Sequence, residues 1–205
     1  MLRSEAMVRP VAMHRVVAEA MTIRETSFFR DHLPWEMLAQ CVLPELLAKR
    51  RAEKRLRVWS AGCATGQETY SLAMLMMDRS PELDAWDVAI TGTDLSPSAC
   101  TYGRRGRYSR LEINRGLPVR QMLRYFERQG EEWVVKPVVR RLVLFEQGDL
   151  RMLTEGGAGF DLVLLRNVLP YFSAADRDAV LVETHSRVKP GGVLLLGATE
   201  QIDDA

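Results

Sequence analysis

The chain has 205 residues, of which 47% are apolar and 27% charged, with a formal net charge of +1. That length and composition fit one folded domain with a substantial core and exclude a disordered or fibrous chain, while the near-zero charge argues neither for nor against a polyanionic partner. Cys41, Cys63 and Cys100 form no CxxC pair and the three histidines are scattered, so reduced thiols and no bound metal are expected.

In chain order, the opening MLRSEAMVRP lacks the apolar centre of a signal peptide, and no later run approaches membrane-spanning length. A cytoplasmic protein without membrane insertion is therefore expected. Residues 1–55 read as a helical segment: 11–20 is apolar-periodic, and a helix over 35–51 places Leu38, Val42, Leu46 and Leu47 on one side. Between these two stretches lies TIRETSFFRD (22–31). Phe28 and Phe29 stand side by side there among hydroxyls and charges, a pattern that neither helical nor strand periodicity buries on one face.

The period then changes. Residues 56–60 read as a strand, AGCATG (61–66) as a turn and 67–77 as a helix; 88–93 forms a second strand closed by Asp94, followed by a helix over 96–105. Residues 107–141 interrupt the rhythm with a basic loop, a short helix over 119–128 and an alternating stretch over 133–139, which together predict a small β insertion. Alternation resumes with strands over 141–145 and 160–165, a helix over 174–188 and a strand over 193–196 after KPGG. Strands alternating with helices predict an α/β, doubly wound, mostly parallel sheet over 56–205.

A strand, a glycine-bearing turn, a helix and an acid closing the next strand is the layout of a nucleoside-binding fold. Gly62 and Gly66 lack a Cβ and admit close approach of a ligand. The spacing is not GxGxxG, and no Walker lysine follows. Asp94 can accept both hydroxyls of a ribose; the bland alternative makes it a helix cap beside Ser96.

Four segments, TIRETSFFRD, WSAGCATGQETYSLAM, ITGTDLS and FDLVLLRNVLPYF followed by VKPGGVLLLGATE, resemble in order and spacing the CheR-type chemoreceptor methyltransferases. That family uses S-adenosylmethionine to methylate glutamate side chains. The resemblance spans nearly the whole chain and implies a class I, Rossmann-like methyltransferase fold with a short helical N-terminal segment. Residue by residue, it implies that Thr26 and Arg30 face the methionine end of S-adenosylmethionine and the reacting centre. Gly62 and Glu68 would wrap the cofactor, Asp94 would bind the ribose, Asp149 and Leu150 would lie near the adenine, and Asn167 and Tyr171 would line the methyl-transfer site. A sulfonium methyl is a strong electrophile and a glutamate is already ionised at pH 7, so transfer needs positioning and dryness rather than a general base. Arg30 would orient the incoming carboxylate and the Tyr171 hydroxyl would hold one of its oxygens. Phe28 or Phe29 would pack beside the sulfonium, a cation–π contact of roughly 0.5–2 kcal/mol.

The partners implied are the cytoplasmic helices of membrane chemoreceptors. Residues 101–141 hold eleven Arg/Lys against four Asp/Glu, which reads either as a solvated face or as a surface that steers an acidic helix. The short turn over 128–132 argues against gripping a tethering peptide, and no aromatic platform interleaves the basic run, which argues against nucleic acid. The chain departs from the family at Arg24 and Asp149, where Asn is usual, and at Thr69, where Pro is usual. It also ends just after the fifth expected strand, so the C-terminal strands of the usual sheet are not expected. That leaves an open edge, consistent with a monomer or an edge-paired dimer. Two other readings stay open: a truncated pseudo-enzyme or scaffold that binds the cofactor without transfer, and a methyltransferase with a different acceptor.

Overall fold

Strand β1 (Arg55–Ala61) lies at the centre of a five-stranded sheet in the computed structural model, which describes residues 25–152, 159–198 and 200. The helix expected over 11–20 and the departure at Arg24 lie outside those residues. The sheet also contains β2 (Asp87–Asp94), β6 (Val143–Gln147), β7 (Phe160–Leu165) and β8 (Val188–Leu196), in the order β6-β2-β1-β7-β8. Every neighbouring pair is parallel, which confirms the doubly wound α/β fold. β1 and β7 are apolar on both faces because helices cover both. Leu56 and Val58 join one core with Leu46, Leu72 and Leu162, while Trp59 and Ala61 join a second with Val163 and Val180.

The helices are α1 (His32–Met37), continued through a π-helical turn (Leu38–Val42) into α2 (Leu43–Arg50), then α3 (Gln67–Arg79), α4 (Pro97–Arg105) and α8 (Ala174–Ser186). Leu38, Leu46 and Leu47 are buried as the periodicity predicts, and Val42 is half-buried. At the amino ends of the strands, the buried Asp161 accepts from the Arg50 side chain at 2.7 Å, from the Arg57 N–H at 2.7 Å and from Lys189. It ties α2 to three strands.

Between α4 and β6 a second sheet is made of β3 (Arg107–Ser109), β4 (Phe126–Gln129) and β5 (Glu132–Val135), antiparallel in the order β3-β5-β4. Short helices α5 (Arg110–Asn114) and α6 (Val119–Tyr125) fill its connections. The strand expected over 133–139 stops at Val135 because Pro137, which has no N–H to give a ladder, opens the one-turn helix α7 (Pro137–Arg140). Conversely, β8 begins at Val188 and takes in the KPGG sequence with a register shift opposite Phe160 and Leu162. A proline is tolerated there because β8 is an edge strand among the described residues. No helix among the described residues is long and apolar enough to cross a membrane.

Candidate functional site

The strand order reverses between β1 and β7, and in open parallel sheets the crevice beyond the carboxyl ends at such a reversal is where ligands bind. The turn after β1 and the turn after β7 meet there. Gly62 sits at φ +75°, and a Cβ on it would lie 2.5 Å from Val168 Cγ2. Only glycine lets the two turns abut. The Gly62 and Cys63 N–H groups both donate to the Thr93 carbonyl, at 2.7 and 3.0 Å, which folds the β1 turn over the end of β2.

Asp94 closes β2 and is 9% exposed. Its Oδ2 accepts the Ala64 N–H at 2.8 Å and its Oδ1 the Ser96 N–H at 2.9 Å. The cap of α4 is Ser96 itself, whose Oγ accepts from Ala99 N–H at 3.2 Å, so Asp94 is not consumed as a helix cap. Each of its oxygens keeps a lone pair for a vicinal diol.

Glu68, in the first turn of α3, accepts the Ser60 hydroxyl at 2.8 Å and Arg166 Nη1 at 3.0 Å. Burial lifts its carboxyl above the usual carboxylate range against the opposing pull of Arg166 and Ser60. Arg166 is itself buried. Its Nη2 donates to the Arg30 carbonyl at 3.0 Å and to Asp31 at 3.2 Å, and its guanidinium lies 5.6 Å from the centre of the Trp35 ring. Trp35 Nε1 donates to the same Arg30 carbonyl at 2.8 Å. Arg166 and Trp35 thereby clamp residues 25–31 across the top of the sheet.

That segment presents Thr26, Ser27 and Arg30 to the cleft. Arg30 Nη1 donates to the Glu25 carbonyl at 2.9 Å, and the Glu25 carboxylate pairs with Arg115 at 2.9 Å. The two phenylalanines do not line the cleft as expected. Phe28 is fully buried, edge-on to Tyr108 at 5.1 Å and to Phe126 at 5.6 Å. Phe29 packs edge-on to Trp35 at 5.3 Å, and its N–H donates to Ser71 Oγ at 3.0 Å. Beside that segment, the aromatic ring at the cleft is instead Trp35.

After β7, Asn167 adopts φ +57°, and a short 3-10 turn (Leu169–Tyr171) leaves Tyr171 54% exposed. An inner hollow is lined by Thr26, Arg30, Glu68, Arg166 and Asn167 among others. An outer hollow of about 410 Å³ is lined by Asp149, Leu150, Arg151 and Phe172 among others, a size typical of small-molecule sites. Gly62, Asp94, Val168 and Tyr171 border both, so the two form one cleft. The nine residues assigned by the resemblance (Thr26, Arg30, Gly62, Glu68, Asp94, Asp149, Leu150, Asn167 and Tyr171) all line it, whereas Gly66 does not: the space a Cβ would take there is filled by Phe145 at 2.7 Å. The departure at Asp149 is compensated locally: the Arg151 fork grips it, Nε to Oδ1 at 3.0 Å and Nη2 to Oδ2 at 2.7 Å.

Three residues of the site escaped sequence reading. Arg166 had a signal, a cation closing the apolar strand FDLVLL, where burial demands a partner. Trp35 had none, since its role follows from the path of the chain between Arg30 and α1. Glu200, whose carboxylate meets the β7 turn, closes the family-like segment VKPGGVLLLGATE, but nothing in that segment signals a side chain reaching back to another turn.

Residues 24–205 match the family described as CheR methyltransferase, SAM binding domain. The chain is 42% identical over 197 residues to chemotaxis protein methyltransferase 1 of Pseudomonas aeruginosa, covering 94% of this chain and 71% of that protein. It is 41% identical over 192 residues to chemotaxis protein methyltransferase Cher2 of Pseudomonas putida, covering 91% of this chain and 69% of that one. With the chemotaxis protein methyltransferase of Vibrio parahaemolyticus the figures are 38% over 206 residues, 98% and 74%. With a nucleoside-type cleft at the sheet's reversal and a family match across it, the chain belongs to the CheR methyltransferases and carries their S-adenosylmethionine-binding domain.

Proposed function

We propose that this chain transfers the methyl group of S-adenosylmethionine to glutamate side chains on the cytoplasmic helices of membrane chemoreceptors, working in the cytoplasm. The observation that carries the reading is the wall of the cleft where Arg30 and Tyr171 stand together, with no histidine among the described lining residues. Bound S-adenosylmethionine supplies an electrophilic methyl and retains the broken bond's electron pair as a neutral thioether, so a carboxylate acceptor needs no base. Arg30 has no carboxylate partner among the described residues, unlike Arg166, and is suited to recruit an anionic acceptor. The Tyr171 hydroxyl orients one acceptor oxygen.

The cofactor fits the residues present. Asp94 offers two lone pairs to the ribose hydroxyls, Gly62 lets the backbone approach, and Leu150 with Phe172 gives the outer hollow an apolar wall for a base. Thr26, Glu68 and Asn167 would hold the methionine end, Asp149 the adenine side. The basic face supports attraction of an acidic helix through its summed field rather than through many free cations. Arg107, Arg124 and Arg141 are already paired with Glu132, Asp78 and Asp84.

The test is calorimetric binding of S-adenosylhomocysteine, followed by transfer of radiolabelled methyl to receptor membranes and release of the label by alkali. Base-labile label that disappears with Arg30→Ala supports the proposal. Binding without transfer makes the chain a cofactor-binding scaffold, and alkali-stable label means a different acceptor.

A further inference from the structure

The turn after β7 points three consecutive N–H groups inward, and a fourth comes from the end of β8. Glu200 meets all of them. Its Oε1 accepts from Val168 at 2.8 Å and Leu169 at 2.9 Å, and its Oε2 from Asn167 at 2.9 Å and Gly197 at 2.7 Å. The side chain is 9% exposed. Successive N–H groups bracketing a left-handed residue, here Asn167 at φ +57°, form a concavity suited to an anion. In this chain the anion is internal.

We infer that Glu200 is a positioning residue for methyl transfer, its carboxylate fixing the turn that presents Asn167, Val168 and Tyr171 to the cleft. The inference rests on the methyltransferase reading of that cleft. Each carboxylate oxygen takes two donors, so all four bonds need an acceptor on both arms of the side chain. A glutamine has the same shape but turns an NH₂ group towards two of the N–H groups, a donor against donors. The turn then has to shift, and Tyr171 shifts with it. Gly197 confirms how closely the group is held: a Cβ on residue 197 would come within 2.5 Å of Glu200 Oε2 and 2.9 Å of Asn167 N. Glu200 itself lines neither hollow of the cleft, so it acts through the turn it holds.

The test compares Glu200→Gln, Glu200→Ala and Gly197→Ala with wild type in the receptor-methylation assay. Stability and S-adenosylhomocysteine affinity are measured alongside. A misplacement of about 1 Å costs on the order of 100-fold in turnover. Glu200→Gln is expected to lose kcat on that scale, at least as much as Glu200→Ala. Sodium formate should restore part of the Glu200→Ala activity by placing a carboxylate in the vacated nest, while leaving wild type unchanged. Gly197→Ala, which keeps the glutamate but displaces it, should lose kcat without responding to formate. If Glu200→Gln turns over within twofold of wild type, or formate rescues nothing in a folded Glu200→Ala protein, the inference is overturned. If Glu200→Ala does not fold, Gly197→Ala with unaltered kcat overturns it equally. A wild-type protein that transfers no methyl refutes instead the functional reading on which the inference rests.

Discussion

Replacing Gly62 by alanine tests whether the glycine after β1 serves the protein's own packing as well as its ligand. Two costs add. Residue 62 sits at φ +75°, and a side chain in the left-handed region costs about 1–2 kcal/mol. The new Cβ would also lie 2.5 Å from Val168 Cγ2, closer than carbon atoms can stand, and a tight 3.1 Å from Cγ1. Val168 cannot simply withdraw, because its N–H is held by Glu200 at 2.8 Å. Overpacking of this kind costs about 1–3 kcal/mol, so Gly62→Ala should destabilise by roughly 2–5 kcal/mol in total. Urea unfolding measures the sum, and a double-mutant cycle with Val168→Ala separates the parts. In the Val168→Ala background the two nearest atoms are removed and the residue-168 Cβ, at 3.4 Å, is an ordinary contact. The clash then vanishes while the backbone cost stays, giving a coupling of about 1–3 kcal/mol. A Gly62→Ala protein within 0.5 kcal/mol of wild type, or an equal cost in both backgrounds, would refute the reasoning.

Arg166→Met should cost roughly 3–5 kcal/mol in urea unfolding, because it leaves Glu68 buried without its cation, and Glu68→Gln in the same chain should recover part of that loss. Glu68 also predicts a pH signature. Its native carboxyl is held above the unfolded value, so in the window upward from pH 4.5 the native state keeps a proton that the unfolded chain has released. Stability contributed by this group therefore falls as pH rises through that window. Glu68→Gln should lack that component, and a wild-type-minus-mutant curve that rises with pH would contradict it. Tyr171→Phe removes a hydroxyl from a residue that is 54% exposed, so its stability should stay within about 0.5 kcal/mol of wild type. Methyl transfer should nevertheless fall by about 100-fold; equal loss of both, read by unfolding and by the label assay, would make Tyr171 a packing residue.

The sheet was legible because β1, β2 and β7 carry the apolar runs that only a doubly covered parallel strand needs, and the turns between them carry glycine. Errors fell where local chemistry overrides periodicity. Pro137 ended β5 early, and the KPGG run that looked like a break lies inside an edge strand. Within the cleft, the residues that line its walls were readable from pattern and resemblance. The residues that hold those side chains in place were not. Arg166 and Glu200 act across separations of 98 residues from Glu68 and 32 from Val168, beyond any sequence window, while Trp35 reaches Arg30 only 5 residues away through a turn that periodicity does not describe. The pair Phe28-Phe29 shows the same limit. Their position beside the site was legible, but Phe28 turned towards Tyr108 and Phe126, supplied by the inserted small sheet, and Phe29 towards Trp35.

Arg30 yields a final prediction, about release rather than attack. The acceptor arrives as a carboxylate and leaves as a neutral ester, so any group that binds its charge discriminates against product. Among the described residues, Arg30 is the cation available for this at the cleft: Arg166 is spent on Glu68 and Asp31 and Arg151 on Asp149, while Arg30 has only the Glu25 carbonyl at 2.9 Å. A charge-assisted hydrogen bond contributes about 1.5–3 kcal/mol when desolvated. Arg30 is only half-buried, so solvent screening brings the difference down to about 1 kcal/mol, roughly a fivefold preference for the acid. A single bond to one oxygen suffices, whereas a bidentate grip would draw density from the attacking oxygen and slow transfer. Competition binding with a glutamate-bearing receptor peptide and its methyl ester, in the presence of S-adenosylhomocysteine, reads the ratio directly. Arg30→Ala should bring the two peptides to equal affinity, and raised salt should narrow the gap in wild type. If the preference survives unchanged in Arg30→Ala, recognition of the acceptor's charge belongs to another group, and the role given to Arg30 is wrong.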